Sequence, residues 1–275
     1  MENMFFQRLR RLSVALLAAV SFASAAQQPT PARLQAEISR WMQRYVSDET
    51  LLEKTVSNSY GPNLAPPKRE AVKAMLRTVM VHERMAPYLT KVVLPFYGKQ
   101  LGTDESKNYV LEAVVELQVK GLRRLPTEVH AQFLRYILDM AAATQPTVCK
   151  ALFLGKMGTQ QSAVYERRYM ASLPTEKFEA VLGMYQAAAL AELDGYPDVK
   201  PLNPTQAKAA ESAYAVAVKS RIARMPLGLH ARVSADIEGG EPTEVCAWFR
   251  DTVGAALDLH EPYLGWYLTR FIQAM

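Results

Sequence analysis

The 275-residue sequence lacks the short motifs that mark the common catalytic centres. It contains no G-x-S-x-G nucleophile elbow, no S-x-x-K motif, no glycine-rich phosphate loop, no EF-hand loop and no dinucleotide-binding fingerprint. These absences argue against hydrolases built on a nucleophile elbow and against nucleotide-dependent enzymes. We therefore assign no catalytic residue and expect no cofactor.

Histidine is scarce, which bears on metal binding. The four histidines are separated by 48, 100 and 30 residues, so no two of them share a helical face as an H-x-x-x-H pair. A metal site would require His82, His130, His230 and His260 to converge in space. A structural hydrogen bond is the simpler interpretation for His130 and His230, and we predict no metal site.

Basic residues are not concentrated anywhere in the chain. The sequence has 32 Lys and Arg against 27 Asp and Glu, a net charge of +5, and no basic stripe alternates with aromatic residues. This scatter argues against nucleic acid as a partner. A hydrophobic content of 49% over this length is enough to bury a sizeable core, which excludes a disordered or collagen-like chain.

The N-terminus has the pattern of a secretory signal peptide. Three arginines between positions 8 and 11 precede an apolar stretch at 12–22, and an A-x-A cleavage pattern occupies 23–25. The apolar stretch has about eleven residues, whereas a membrane-spanning helix needs about 20. We predict cleavage after Ala25 and a periplasmic protein that retains no stable membrane span.

Export makes the two cysteines informative. In an oxidising compartment, two thiols in a mature chain most often form one bridge. We predict a disulfide between Cys149 and Cys246, which would stabilise the fold by up to about 4.7 kcal/mol by restricting the unfolded chain. The alternative is two separate buried thiols. A redox-active cysteine is disfavoured because no C-x-x-C pair is present.

Apolar residues recur with helical spacing almost throughout. Within 70–80, apolar side chains stand at 72, 75, 76, 79 and 80, and 109–122, 128–140 and 176–193 show similar periodicity. No long alternating run is flanked by a hairpin turn. The sequence predicts an all-α protein, a multi-helix bundle of about eleven helices.

Proline and glycine divide the chain. A Pro-Thr pair precedes the helical patterns that follow positions 126, 174, 204 and 242, where a proline suits the first turn. The segment 196–202 contains two prolines and is predicted to be a linker. It separates a helical region at 26–195 from a C-terminal helical region at 203–275.

The regions on either side of the linker share a pattern. Arg124-Leu125-Pro126 followed by His130 recurs 100 residues later as Arg224-Met225-Pro226 followed by His230. A Pro-Thr pair also precedes each cysteine. We predict a partial internal repeat of helical units at 104–154 and 204–250. Equivalent helices would then carry the two cysteines, and the second unit would pack on the first.

The C-terminal helical pattern is the richest in aromatic residues. Tyr263, Trp266, Tyr267 and Phe271 fall close to i, i+3, i+4 and i+8. These four side chains are our candidates for a partner-binding face, because Trp and Tyr are enriched at interfaces. The alternative, that this helix closes the core, is favoured because large aromatic side chains are usually buried.

Two functions remain open. The first is an exported, periplasmic binding or inhibitor protein of the immunity type that acts through protein–protein contacts with an envelope or secreted partner. The absence of catalytic motifs favours it. The alternative is a peptidoglycan glycosidase or transglycosylase with a single catalytic Glu, because a glycosidase needs no local motif. The sequence offers several carboxylates without favouring one: Glu83, Glu112, Glu116, Glu128 and Glu166.

Overall fold

A computed structural model describes residues 30–96 and 116–274. Every regular element in these ranges is helical, and none of the described residues belongs to a strand. They form thirteen α-helical segments and two short 3-10 helices, slightly more than the eleven or so expected. The prediction of an all-α, multi-helix fold is confirmed. The predicted signal peptide and residues 104–115 of the predicted repeat lie outside the described residues.

The described chain divides into two compact units. The first unit contains residues 30–96, 116–121 and 163–197, and the second contains residues 122–162 and 198–274. The junction at 197–198 falls within the predicted linker. Residues 122–162, however, group with the C-terminal helices rather than with the region that precedes them in sequence. The domain limits predicted from sequence remain a prediction.

The first unit is built mainly from six helices. They are α1 (Pro31–Ser47), α2 (Glu49–Tyr60), α3 (Pro66–Met80), α4 (Met85–Val93), α5 (116–122) and α9 (Thr175–Asp194). A 3-10 turn at Leu94–Phe96 follows α4. Helix α8 (Thr159–Ser172) crosses the division between the units at residue 162.

Local sequence explains where these helices begin and end. Thr30 accepts a hydrogen bond from the backbone N–H of Arg33 at 3.3 Å, with Pro31 in the first turn of α1. The Asp48 carboxylate accepts from the N–H groups of Thr50 and Leu51 and so caps α2. Helix α9 ends at Asp194 and is capped by Gly195, whose φ of 68° is left-handed. Fully buried side chains then fill the interior: Leu34, Leu52, Leu76, Phe178 and Tyr185.

Helices α5 and α9 approach each other so closely that one contact excludes a side chain. A Cβ atom on Gly121 would lie 1.7 Å from the carbonyl oxygen of Ala188. Neighbouring residues of α5 are almost fully buried, with Leu117 at 1% and Val119 at 6% exposure. Helix α5 is therefore covered by α9 at this crossing.

The second unit is built around α6 (Thr127–Ala143), α7 (Pro146–Phe153), α10 (Pro204–Ile222), α11 (Leu229–Ala235), α12 (Pro242–Gly254) and α13 (Tyr263–Ala274), with a 3-10 helix at Ala255–Asp258. Cys149 of α7 and Cys246 of α12 form the predicted disulfide, with Cα atoms 5.8 Å apart. Close to this bridge the rings of Phe153 and Phe249 lie 4.4 Å apart. The disulfide prediction is confirmed.

Candidate functional site

Helix α10 begins with a strong cap but buries little of itself. The Asn203 side chain accepts from the N–H of Gln206 at 2.9 Å, and the Gln206 side chain accepts from the N–H of Asn203 at 3.1 Å. This reciprocal capping box fixes the start of a 19-residue helix. Ala210 is nevertheless the only fully buried residue of α10. A helix this long with one buried residue leaves much of its surface without a neighbour.

One side of α10 is held firmly by α12, α13 and the second 3-10 helix. Tyr214 stacks on Tyr267 with ring centroids 4.1 Å apart, and its hydroxyl donates to the carbonyl of Thr252 at 2.9 Å. Arg221 donates to both carboxylate oxygens of Asp258 at 2.6 and 2.7 Å. Those hydrogen bonds lower the pKa of Asp258 and raise that of Arg221. This side of α10 is therefore occupied.

An adjacent face of α10 forms one wall of an open groove of about 860 Å³. The α10 residues that line it have small or β-branched side chains at helical spacing: Ala209, Ser212, Ala213, Val216, Ala217 and Ser220. Arg224 and the segment that leads into α13 supply the rest: Asp258, Leu259, His260, Glu261 and Tyr263. Val216 is 68% exposed and Tyr263 is 41% exposed.

The charges around the groove are unevenly paired. Asp258 is neutralised by Arg221, and Glu261 accepts a hydrogen bond from the N–H of Gly265 at 3.3 Å. Lys208 and Lys219 are exposed, and neither forms an ion pair with any residue that the structure describes. They lie eleven residues apart, close to three helical turns, and so share one edge of α10.

The four aromatic residues predicted to bind a partner lie in different surroundings. Tyr263 lines the groove and makes an edge-on contact with half-buried Trp266, with centroids 5.7 Å apart and an interplanar angle of 87°. Tyr267 and Phe271 are buried, at 8% and 3% exposure. Their burial agrees with the alternative, in which α13 closes the core. Only Tyr263 of the four reaches the groove.

The histidines make separate structural contacts. The Nε2 of His130 donates to the carbonyl of Leu122 at 2.7 Å, and the indole N–H of Trp248 donates to Nδ1 of His230 at 2.9 Å. In the first unit, His82 lies 3.0 Å from Asp194. Across residues 30–96 and 116–274, no three His, Cys, Asp or Glu side chains are grouped as metal ligands.

None of the candidate carboxylates that the structure describes lines the groove. Glu83, Glu116 and Glu128 are exposed, and Glu112 lies outside the described residues. Glu166 is 1% exposed and accepts a hydrogen bond from the Tyr185 hydroxyl at 2.5 Å. Burial raises the pKa of nearby Tyr60, and the negative charge of Glu166 raises it further.

The groove was not anticipated from sequence. Its only signal is a run of small residues at i, i+3 and i+4 spacing along 209–220, which resembles ordinary alanine-rich helix. The part of it that sequence did single out is Tyr263. Among the described helices, none combines the length and apolarity needed to cross a membrane. No protein family, curated protein or solved structure matches this chain.

Proposed function

We propose that this is an exported helical binding protein of the inhibitor or immunity type, and that its α10 groove receives a helical segment of a partner protein. The observation that carries the proposal is the groove itself, in which Val216 and Tyr263 leave apolar surface open to solvent. Contiguous exposed apolar surface with a polar rim is typical of interaction sites.

The shape of the groove suits a helix. Its α10 wall runs from Ala209 to Ser220, about 17 Å along the helix axis. Small side chains on this wall allow a second helix to approach closely, and larger side chains from that helix can pack between α10 and Tyr263. Two carboxylates line the groove, but Asp258 is bound to Arg221 and Glu261 accepts a hydrogen bond from the N–H of Gly265. Both therefore have structural partners, which favours binding over catalysis.

Export to the periplasm is part of the proposal. The signal-peptide pattern at 1–25 supports it, and so does the disulfide between Cys149 and Cys246, because such bridges persist in oxidising compartments. We expect the protein recovered from the periplasmic fraction to begin at Ala26. Intact-mass measurement of that fraction checks this, and recovery of an uncleaved cytoplasmic chain would contradict it.

The binding function is tested by capture with groove variants. Tagged mature protein is incubated with non-reduced envelope extract, and bound proteins are quantified by mass spectrometry. Ala213→Arg fills the groove, whereas Ala142→Arg places the same side chain on an exposed position of α6 that does not line the groove. We expect a stoichiometric partner with wild type and Ala142→Arg that is lost with Ala213→Arg. A partner retained equally by both variants, or no partner, would overturn the proposal.

A further inference from the structure

Helices α5 and α10 end in the same way, 100 residues apart. The N–H of Leu125 donates to the carbonyl of Leu122 at 3.1 Å, and the N–H of Met225 donates to that of Ile222 at 3.0 Å. The next helix then starts with a matching bond to the carbonyl of Pro126 or Pro226, each 3.0 Å long. The two helices therefore enter equivalent turns, and position 117 corresponds to position 217.

The two helices differ in what covers them. Leu117 of α5 is 1% exposed, and Gly121 of α5 abuts the backbone of α9 at Ala188. Ala217, at the position equivalent to Leu117, is only half-buried and lines the open groove. Gly121, where α9 packs on α5, corresponds to Arg221, which lies on the occupied side of α10. The surface that α10 leaves open is therefore the one around Ala217, at a position where the equivalent residue of α5 is buried.

The charge at the edge of the groove indicates which charge its occupant carries. Lys208 lies one turn before Ser212, and Lys219 lies less than one turn after Val216, so each lysine neighbours a groove residue. By helical spacing this edge is the one away from Tyr214, which packs on α13. Two unpaired ammonium groups on one edge favour carboxylates on the adjoining flank of the occupant.

We propose that the occupant of the groove is an acidic amphipathic α-helix of the partner, at least three turns long. Its apolar face packs on Ala213 and Val216, and carboxylates about eleven residues apart on one flank meet Lys208 and Lys219. This deepens the proposed function and rests on it. A second copy of this chain fits less well, because the corresponding edge of its α10 carries lysines instead of carboxylates.

The inference is tested with defined peptides of about 18 residues, or about 27 Å as a helix. The acidic peptide has Ala and Leu on one face and Glu on the flanks, and the basic peptide replaces each Glu with Lys. A third peptide adds a central proline to the acidic sequence. Fluorescence anisotropy with the full mature protein should show about fivefold or tighter binding of the acidic peptide over the other two. Ala213→Arg should abolish it, and Ala142→Arg, at an exposed position of α6 away from the groove and from the lysine edge, should not.

Charge variants locate the interaction. The double variant K208E/K219E should reverse the preference between the acidic and basic peptides. The matched double variant K54E/K177E makes the same change in net charge at exposed positions in the first unit and should leave the preference unchanged. Equal binding of the two peptides, no binding, or an unaltered preference in K208E/K219E would overturn the inference. The proposed function is judged separately, by whether capture of the partner depends on Ala213.

Discussion

Gly121 is the residue at which the packing of the first unit leaves no room for a side chain. Because an added Cβ would lie 1.7 Å from the backbone oxygen of Ala188, Gly121→Ala must force α5 and α9 apart. We expect a loss of about 3 kcal/mol or more in the free energy of unfolding, measured by urea denaturation. Gly183→Ala is the matched control in α9, where nothing lies within 4 Å and alanine should stabilise by about 0.5–1 kcal/mol. Equal effects of the two substitutions would contradict the packing described here.

His130 makes stability depend on pH. Burial lowers its pKa below the usual value, although the hydrogen bond to Leu122 and the charge of Glu128 act in the opposite direction. In the unfolded chain the imidazole of His130 titrates at about pH 6.5. The unfolded state therefore takes up a proton before the folded state does. The stabilisation from neutral His130 is fully present above that pH and is lost as the pH falls through the lowered folded value.

His130→Gln removes this titration. We expect the free energy of unfolding of wild type to fall more steeply than that of the variant between neutral pH and pH of about 5, because only wild type carries the buried imidazole. Denaturation at a series of pH values measures the two slopes. Parallel curves would show that His130 remains neutral in both states or is accessible to solvent when folded.

At the scale of elements, the disulfide joins two helices that start alike. Cys149 is the fourth residue of α7 and Cys246 the fifth of α12, and each helix begins with a proline. Replacing both cysteines by serine should lower the free energy of unfolding by about 2–5 kcal/mol, since a bridge across 97 residues restricts the unfolded chain. Wild type treated with reductant should match the double variant in urea denaturation. An unchanged midpoint in both would contradict a stabilising role.

Sequence predicts helices well where one face is strongly apolar, and less well elsewhere. Helix α3 was expected because apolar residues recur every three or four positions, and Val72, Met75 and Leu76 are indeed buried. Helix α10 was expected from its Pro-Thr start, but its small residues lie on several sides and define no single face. Which side stays open depends on where Tyr214 and Arg221 find their partners. Those contacts depend on the tertiary structure, so the groove could not be predicted from the sequence.

At the scale of the whole molecule, the second unit is assembled from two separate stretches of chain. Residues 122–162 supply α6 and α7, and residues 198–274 supply α10 to α13. Sequence order suggested a C-terminal region at 203–275 packed on the preceding one. The predicted disulfide and the predicted repeat were the sequence features that linked the two stretches, because the helical pattern alone does not say which helices pack together.

This assembly predicts how a fragment behaves. Residues 203–275 alone lack α6 and α7, against which α12 and α13 pack, and also lack Cys149. Val245, Phe249 and Phe271, each buried in the whole chain, would then lose part of their covering. We expect the isolated fragment to show weak helical circular dichroism and no cooperative urea transition. The mature chain should show both. Cooperative unfolding of the fragment would mean that the C-terminal helices hold together without 122–162, in which case the groove could be studied on the fragment alone.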